Sequence, residues 1–392
     1  MSGTPQKNNS LGLSLYLFMA LFILTGFAKF TSEYFERDIV YPQIFTILND
    51  YNRELVFALL LILLGIQFFK NNLQNTKLGF YWAPVLLHVF LCLKLLINGN
   101  TDWYISGLGA ISLYATIYVC ANATKNLTNT FYLFKFSLIM CIVLIVLVLY
   151  QYITVGEENM QASLRFFFFS SHPNHAGIMW AFCVVTMTFL LINNFNSHRT
   201  IKIICLISFL FFLILTGSRG SYISCLSGIA VLIFLGSNSK KNNIKIYFFI
   251  FVLFISLSIF ASSYISEFLQ FQADRGNTPD DVYTEALNSF LSSPIVGLPY
   301  TDGRPTFIEN LLLSYMMSAG FIGIILCALF YVGAFSRILK TYRKIAMTKD
   351  SSRRYFLAIF IMMMTSSLFE PFQINFVTFG AFASIYSATY LS

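Results

Sequence analysis

Long apolar stretches alternate with short polar segments along almost the whole chain. A membrane-spanning helix needs about 20 mainly apolar residues, and a helix satisfies its own backbone hydrogen bonds in lipid. The pattern therefore predicts an all-α polytopic membrane protein with about twelve transmembrane helices, forming a single transmembrane domain over residues 1–392. The stretches are Leu11 to Phe30, Leu55 to Phe69, Gly79 to Ile97, Trp103 to Cys120, Phe131 to Ile153, Ala176 to Ile192, Ile201 to Leu215, Tyr222 to Leu235, Ile246 to Phe260, Leu311 to Phe335, Tyr355 to Leu368 and Phe372 to Tyr390.

The composition agrees with a chain that has lipid as its solvent. Hydrophobic residues make up 57% of the sequence and charged residues 11%, whereas a soluble domain carries about 25% charged residues. The net charge of +8 does not indicate a nucleic-acid partner, because the basic residues lie between apolar stretches instead of clustering with aromatic residues on one face. The 7 cysteines lie within apolar stretches without CxxC spacing, so neither disulfides nor a zinc site is indicated.

Lysine and arginine are concentrated in alternate loops, which sets the expected orientation. By the positive-inside rule these loops face the cytoplasm, together with both termini, in a bacterial inner membrane. The basic loops contain Lys70 and Lys77; Lys125; Arg199 and Lys202; Lys240, Lys241 and Lys245; and the run from Arg337 to Arg354. The other unusual charges cluster at the outer boundary, and Lys94 is the main exception, since it lies inside an apolar stretch.

A few arginines fall on the opposite, extracytoplasmic side of this topology. They are Arg37, Arg53, Arg165, Arg219, Arg275 and Arg304. Arg37 and Arg53 have acidic neighbours in sequence and are explained by pairing with them. Arg219 has none, and it lies in the turn TGSRGS between two apolar stretches. The glycines leave the backbone accessible and the serines add hydroxyls, so this turn is suited to binding a phosphate. A structural role for Arg219 is the alternative.

Arg165 precedes the segment FFFFSSHPNHAG, in which an aromatic run is followed by the predicted start of a helix. His172 and His175 have no third ligand at suitable local spacing, so we expect no metal there. We interpret both histidines as hydrogen-bonding groups at the helix entrance, with sugar or phosphate contact as the alternative.

Residues 261–309 form the longest extracytoplasmic loop. Within this loop, TPDDVYTEALNSFLSSP predicts an amphipathic helix that lies on the membrane surface, with Thr278 as its cap, Pro279 in its first turn and its end before Pro294.

Glu309 and Asn310 follow the long loop and open the tenth apolar stretch. A carboxylate at this boundary either stabilises a helix N-terminus or, when partly desolvated, acts as a general base.

In these features the chain resembles the superfamily of O-antigen ligases and O-antigen or capsular polysaccharide polymerases. The resemblance rests on the span count, the large loop after the ninth span, TGSRGSY around Arg219, Arg165 ahead of HPNHAG, Arg275 ahead of SPIVG, and ENLLLSYMMSAGFIG beginning at Glu309. It implies a GT-C-like, metal-independent glycosyltransferase without a cofactor, whose donor is a glycan on undecaprenyl pyrophosphate. Ligases usually have histidine at the position of Glu309, so the polymerase branch is favoured.

The expected function is polymerisation of undecaprenyl-pyrophosphate-linked repeat units on the outer face of the inner membrane. The partners implied are the lipid-linked donor and acceptor glycans, membrane lipid and a chain-length regulator protein. Ligation of finished glycan to lipid A core, and a lipid-linked oligosaccharide flippase or transporter, are the alternatives. The catalytic candidates are Glu309 and Arg219, and the substrate-binding candidates are Arg165, Arg275, Asn174, Asn310, His172, His175 and Arg304.

Overall fold

The computed structural model describes most of the apolar stretches that the sequence predicts as spans. The described residues are 11–26, 47–48, 51–69, 79–126, 139, 142–150, 152–153, 161–162, 165–166, 173–193, 199–235, 280–298, 310–348, 350–374 and 378–391. Helices dominate in these ranges, and the extended structure there is a two-residue antiparallel pairing of β1 (Gln161–Ala162) with β2 (Arg165–Phe166).

Eleven helices are labelled here in chain order. They are α1 (Leu11–Leu24), α2 (Asn52–Phe69), α3 (Trp82–Ile97), α4 (Trp103–Asn126), α5 (Pro173–Ile192), α6 (Arg199–Leu215), α7 (Arg219–Phe234), α8 (Asp280–Ser292), α9 (Leu311–Thr348), α10 (Ser351–Ser366) and α11 (Phe379–Leu391). Two 3-10 turns, Gly79–Tyr81 and Phe372–Ile374, precede α3 and α11, and residues 142–150 are also helical.

Five helices in the described part are long and apolar enough to cross a membrane. They are α2, the 3-10 turn with α3, the first part of α4, α5 and α9. On α3, the apolar residues Leu86, Val89, Leu93 and Leu96 are exposed along one face, which is expected where lipid covers a helix. The prediction of a helical membrane protein is thus confirmed at this level, and the number of twelve spans stays a prediction.

The centre of the bundle is α5, which is buried along almost its whole length. It packs against α6, α7, α10 and α11. Trp180 of α5 is fully buried, and its ring lies 5.7 Å from Phe209 and 4.9 Å from Phe212 of α6, measured between ring centroids. Dense aromatic packing of this kind fixes the position of α5 relative to its neighbours.

Antiparallel packing of α7 and α10 defines two ends of the bundle. At one end the Arg354 guanidinium Nη1 donates to the Leu235 carbonyl oxygen at 3.1 Å. We call this the basic end, because the basic residues at the end of α9 and the start of α10 lie there. At the other end Gly220 packs against Phe369, and we call this the Arg219 end. The 16 residues of α10 span about 24 Å between the two ends.

The segment predicted as a basic loop, from Arg337 to Arg354, is largely helical. Helix α9 continues to Thr348, and α10 begins at Ser351. The Asp350 carboxylate caps α10 by accepting hydrogen bonds from the backbone N–H groups of Ser352 at 2.9 Å and Arg353 at 3.2 Å.

Helix α9 turns sharply at Ala319 and Gly320, where the backbone leaves the helical region. The sequence predicts an uninterrupted span from Leu311 to Phe335. Gly320 has φ +57°, a value that glycine adopts at little cost because it lacks a Cβ. The break divides α9 into a short arm, residues 311–318, and a long arm, which begins at Phe321.

The short arm folds back along the long arm. The Leu311 N–H donates to the Ser367 carbonyl oxygen at 3.0 Å, and the hydroxyls of Tyr331 and Ser367 share a hydrogen bond of 2.9 Å. A straight helix would hold residues 311 and 331 about 30 Å apart. A Cβ at Gly323 would also overlap the Tyr315 carbonyl oxygen, so the two arms are in direct backbone contact.

Helix α8 occupies Asp280–Ser292, within the segment where the sequence predicts the amphipathic helix. Ala286 is fully buried, whereas Tyr283, Leu287 and Leu291 are exposed. The helix contacts α9, and its placement on a membrane surface stays a prediction.

Candidate functional site

The turn between α6 and α7 is held by its own side chains. The Thr216 hydroxyl donates to the Leu213 carbonyl oxygen at 2.7 Å, and Gly217 adopts φ +58°. The Ser218 side chain caps α7, accepting from the Ser221 N–H, and the two serine hydroxyls share a hydrogen bond of 2.8 Å. Arg219, the first residue of α7, is therefore presented from a fixed turn, and its side chain is exposed.

The N-termini of α5 and α7 lie side by side at the Arg219 end. The Ser221 hydroxyl donates to the Asn174 carbonyl oxygen at 3.4 Å. Gly177 allows this approach, because a Cβ there would lie 2.5 Å from the Ser221 Oγ and 2.9 Å from the Ser218 Cβ. Two helix N-termini, each carrying a partial positive charge, thus meet beside Arg219.

A carboxylate, Glu370, completes this group of residues. The Asn174 side-chain amide donates a hydrogen bond to Glu370 Oε1. Glu370 follows α10 in the segment that begins at Ser367, and its N–H donates to the Ser366 carbonyl oxygen at 2.9 Å. Its neighbour Phe369 packs on Gly220. Cationic, amide, hydroxyl and carboxylate groups are therefore assembled at one end of the bundle.

Asn310 reaches the same region through the fold-back of α9. Its Oδ1 accepts from the Leu313 N–H at 2.9 Å and so caps the short arm. The next residue, Leu311, is hydrogen-bonded to Ser367, three positions before Glu370. A third helix N-terminus therefore lies near the two of α5 and α7.

This arrangement is suited to an anionic substrate that reacts with a hydroxyl group. Helix N-termini and a guanidinium attract phosphate oxygens. A carboxylate at the edge of such a site can orient a polar partner or accept a proton.

The residues predicted from the sequence fall into three groups. The structure brings the helix starts that carry Arg219 and Asn174 side by side through the hydrogen bond from Ser221 to Asn174, and it places the residue after Asn310 against Ser367. The His175 ring packs edge-on against Phe372, with 5.1 Å between ring centroids, and Arg165 lies in β2, opposite Ala162. Glu309, His172, Arg275 and Arg304 lie outside the described residues.

Glu370 is the residue that sequence reasoning missed. It lies in SLFEPF, a junction between two apolar stretches. The sequence does contain one signal for Glu370, the same one that was used for Glu309. Both are acidic residues at the boundary of an apolar stretch, on the side opposite the basic loops.

In the part of the chain that the structure describes, no three His, Cys, Asp or Glu side chains come together as a metal site would require. The prediction of a metal-independent site stays a prediction.

No protein-family model and no curated protein sequence matches this chain.

Proposed function

We propose that the protein is a glycosyltransferase that polymerises repeat units carried on undecaprenyl pyrophosphate. The observation that carries this proposal is the convergence of exposed Arg219, the N-termini of α5 and α7, and Glu370 at one end of an apolar helical bundle. Such a site offers positive charge to a pyrophosphate and polar side chains to sugar hydroxyls, while the apolar surface of the bundle accommodates the lipid.

The location of the site supports an extracytoplasmic reaction. Arg343, Lys344 and Arg353 lie at the basic end, about 24 Å from the Arg219 end along α10. If the positive-inside rule holds for this chain, the basic end faces the cytoplasm and the Arg219 end lies near the outer boundary of a bacterial inner membrane.

In the proposed reaction, a hydroxyl oxygen of the acceptor sugar attacks the anomeric carbon of the donor. The bond from that carbon to the pyrophosphate oxygen breaks, and undecaprenyl pyrophosphate leaves with the bonding electron pair. Arg219, with Arg165 and Arg275 as further candidates, stabilises the charge that develops on the leaving group. Glu309 is the proposed acceptor of the hydroxyl proton, and Glu370 positions Asn174 beside Arg219.

Replacement of Arg219 tests the proposal. We expect Arg219→Ala to lower the rate of repeat-unit joining by about 10²- to 10³-fold, the loss typical of removing one group that stabilises a developing negative charge. The measurement is gel analysis of glycan length after incubation of purified protein with lipid-linked repeat units.

Arg343→Ala is the matched control, because Arg343 is an exposed arginine at the basic end. It should produce the same glycan ladder as the unmodified protein. A full-length ladder from Arg219→Ala would contradict the proposed role. Transfer of finished glycan to a lipid A core acceptor, without growth of single units, would instead identify a ligase.

A further inference from the structure

Lys94, a charged residue within an apolar stretch, has all three ammonium donors engaged. It lies in the last turn of α3, and its Nζ donates to the carbonyl oxygens of Val296 at 2.6 Å, Gly297 at 3.0 Å and Leu298 at 2.6 Å. An ammonium group has three N–H donors. A charged group near lipid is costly unless it has hydrogen-bond partners. These three bonds supply the partners, and they hold the turn of residues 293–298, which follows α8, against α3.

The same turn fills the break in α9. The Leu298 N–H donates to the Met317 carbonyl oxygen at 3.0 Å, and the Phe321 N–H donates to the Pro294 carbonyl oxygen at 2.7 Å. A helix that breaks leaves such groups without their intrahelical partners. The turn supplies those partners from outside the helix.

Two glycines make the insertion possible. A Cβ on Gly297 would lie 2.5 Å from the Met317 carbonyl oxygen and 2.7 Å from the Ala319 nitrogen. A Cβ on Gly320 would lie 2.5 Å from the Pro294 carbonyl oxygen. Both contacts are with backbone atoms, which cannot move aside as a flexible side chain can. The turn and the break therefore fit each other closely.

The break sets the direction of the short arm of α9, and Asn310 immediately precedes this arm. Fold-back of the arm places Leu311 against Ser367, near Glu370. Satisfying the Lys94 charge would require hydrogen-bond acceptors, but it would not require that the same turn also complete the break of a second helix.

We propose that Lys94 is a positioning residue for the candidate site. By holding residues 293–298 in the break of α9, it fixes the short arm and thereby the place of Asn310 relative to Asn174 and Glu370. The role in catalysis rests on the proposed function, whereas the mechanical link from Lys94 to the short arm does not.

Hydrogen–deuterium exchange tests the mechanical link without any activity assay. In Lys94→Met, which keeps side-chain length but removes the charge and the donors, we expect peptides covering residues 293–298 and 311–318 to exchange about tenfold faster. Peptides from α5 and α7 should exchange as in the unmodified protein. Lys94→Arg, which retains a charged donor, should preserve most of the protection.

Gly297→Ala gives the same test from the other side of the contact and serves if Lys94→Met does not fold. Gly99→Ala is its matched control, because Gly99 has φ +67°, close to the +72° of Gly297, but has nothing within 4 Å of an added Cβ. The strain of alanine at positive φ is thus similar in both variants. Only Gly297→Ala should loosen the short arm.

Unchanged exchange of residues 311–318 in folded Lys94→Met would overturn the proposal, even if the turn itself exchanges faster. If Lys94→Met does not fold, unchanged exchange of these residues in Gly297→Ala would overturn it. For the catalytic role, Lys94→Met should lower kcat about tenfold or more while KM for the donor stays within about twofold, since Arg219 is untouched. If the unmodified protein joins no repeat units, the proposed function fails, and the exchange result still decides the mechanical link.

Discussion

At the scale of single residues, two glutamates are candidates for accepting the proton in the proposed reaction. Glu309 is the base that the sequence predicts, and Glu370 is the carboxylate that the structure places beside Asn174. The two roles are separable, because glutamine in place of Glu370 can still accept the hydrogen bond from the Asn174 amide. Such a replacement preserves positioning but removes the capacity to accept a proton.

We therefore expect Glu309→Gln to lower turnover by about 10²-fold or more, a loss typical of a missing general base. Glu370→Gln should lose less than about tenfold, and Glu370→Ala should lose more than Glu370→Gln. The measurement is the initial rate of repeat-unit joining. Asp102→Asn is the control, since Asp102 is an acidic residue in the turn between α3 and α4. The reverse order, with Glu370→Gln inactive and Glu309→Gln active, would make Glu370 the base.

At the scale of helices, the site depends on how closely the N-termini of α5 and α7 approach each other. Gly177 is the point of contact, and its missing side chain leaves room for Ser218 and Ser221. Rotation of a serine hydroxyl could relieve one overlap, but the contacts with the Cβ atoms at 2.9 Å require the helices to separate. Separation would weaken the field of the two N-termini at Arg219.

Gly177→Ala should consequently destabilise the protein by about 1–3 kcal/mol, as overpacking of a tight interface does, and slow repeat-unit joining. Thermal unfolding in detergent, followed by intrinsic fluorescence, measures the first effect. The matched control is Gly65→Ala, because Gly65 lies in α2 and has nothing within 4 Å of an added Cβ. Equal midpoints for the two variants would show that the helices are not in close contact at Gly177.

The helices also show where prediction from sequence succeeds and where it stops. Local patterns suffice for the turn at Arg219, the helix start at Pro173 and the helix within residues 278–294, because glycine, proline and capping residues act over a few positions. The break at Gly320 was missed, since glycine is common in membrane helices and only the inserted turn from Ser293 to Leu298 distinguishes this one. Glu370 was missed because its proximity to Asn174 depends on the packing of α10.

At the scale of the whole molecule, the basic residues and the helix N-termini of the candidate site lie at opposite ends of the bundle. The basic residues of α9 and α10 lie at one end, and the N-termini of α5 and α7 with Arg219 lie at the other. Apolar periodicity and the distribution of lysine and arginine were sufficient to predict this division. The contacts between distant segments, such as Lys94 with residues 296–298, could not be predicted because no local pattern encodes them.

The central claim is that this bundle joins sugars and does not merely move them. The direct test is reconstitution of the purified protein in liposomes without an ion gradient, supplied with undecaprenyl-pyrophosphate-linked repeat units. Mass spectrometry of the lipid products should show joined units and one released undecaprenyl pyrophosphate for each new linkage. Unchanged single units that have crossed to the other leaflet would contradict the claim and identify a flippase.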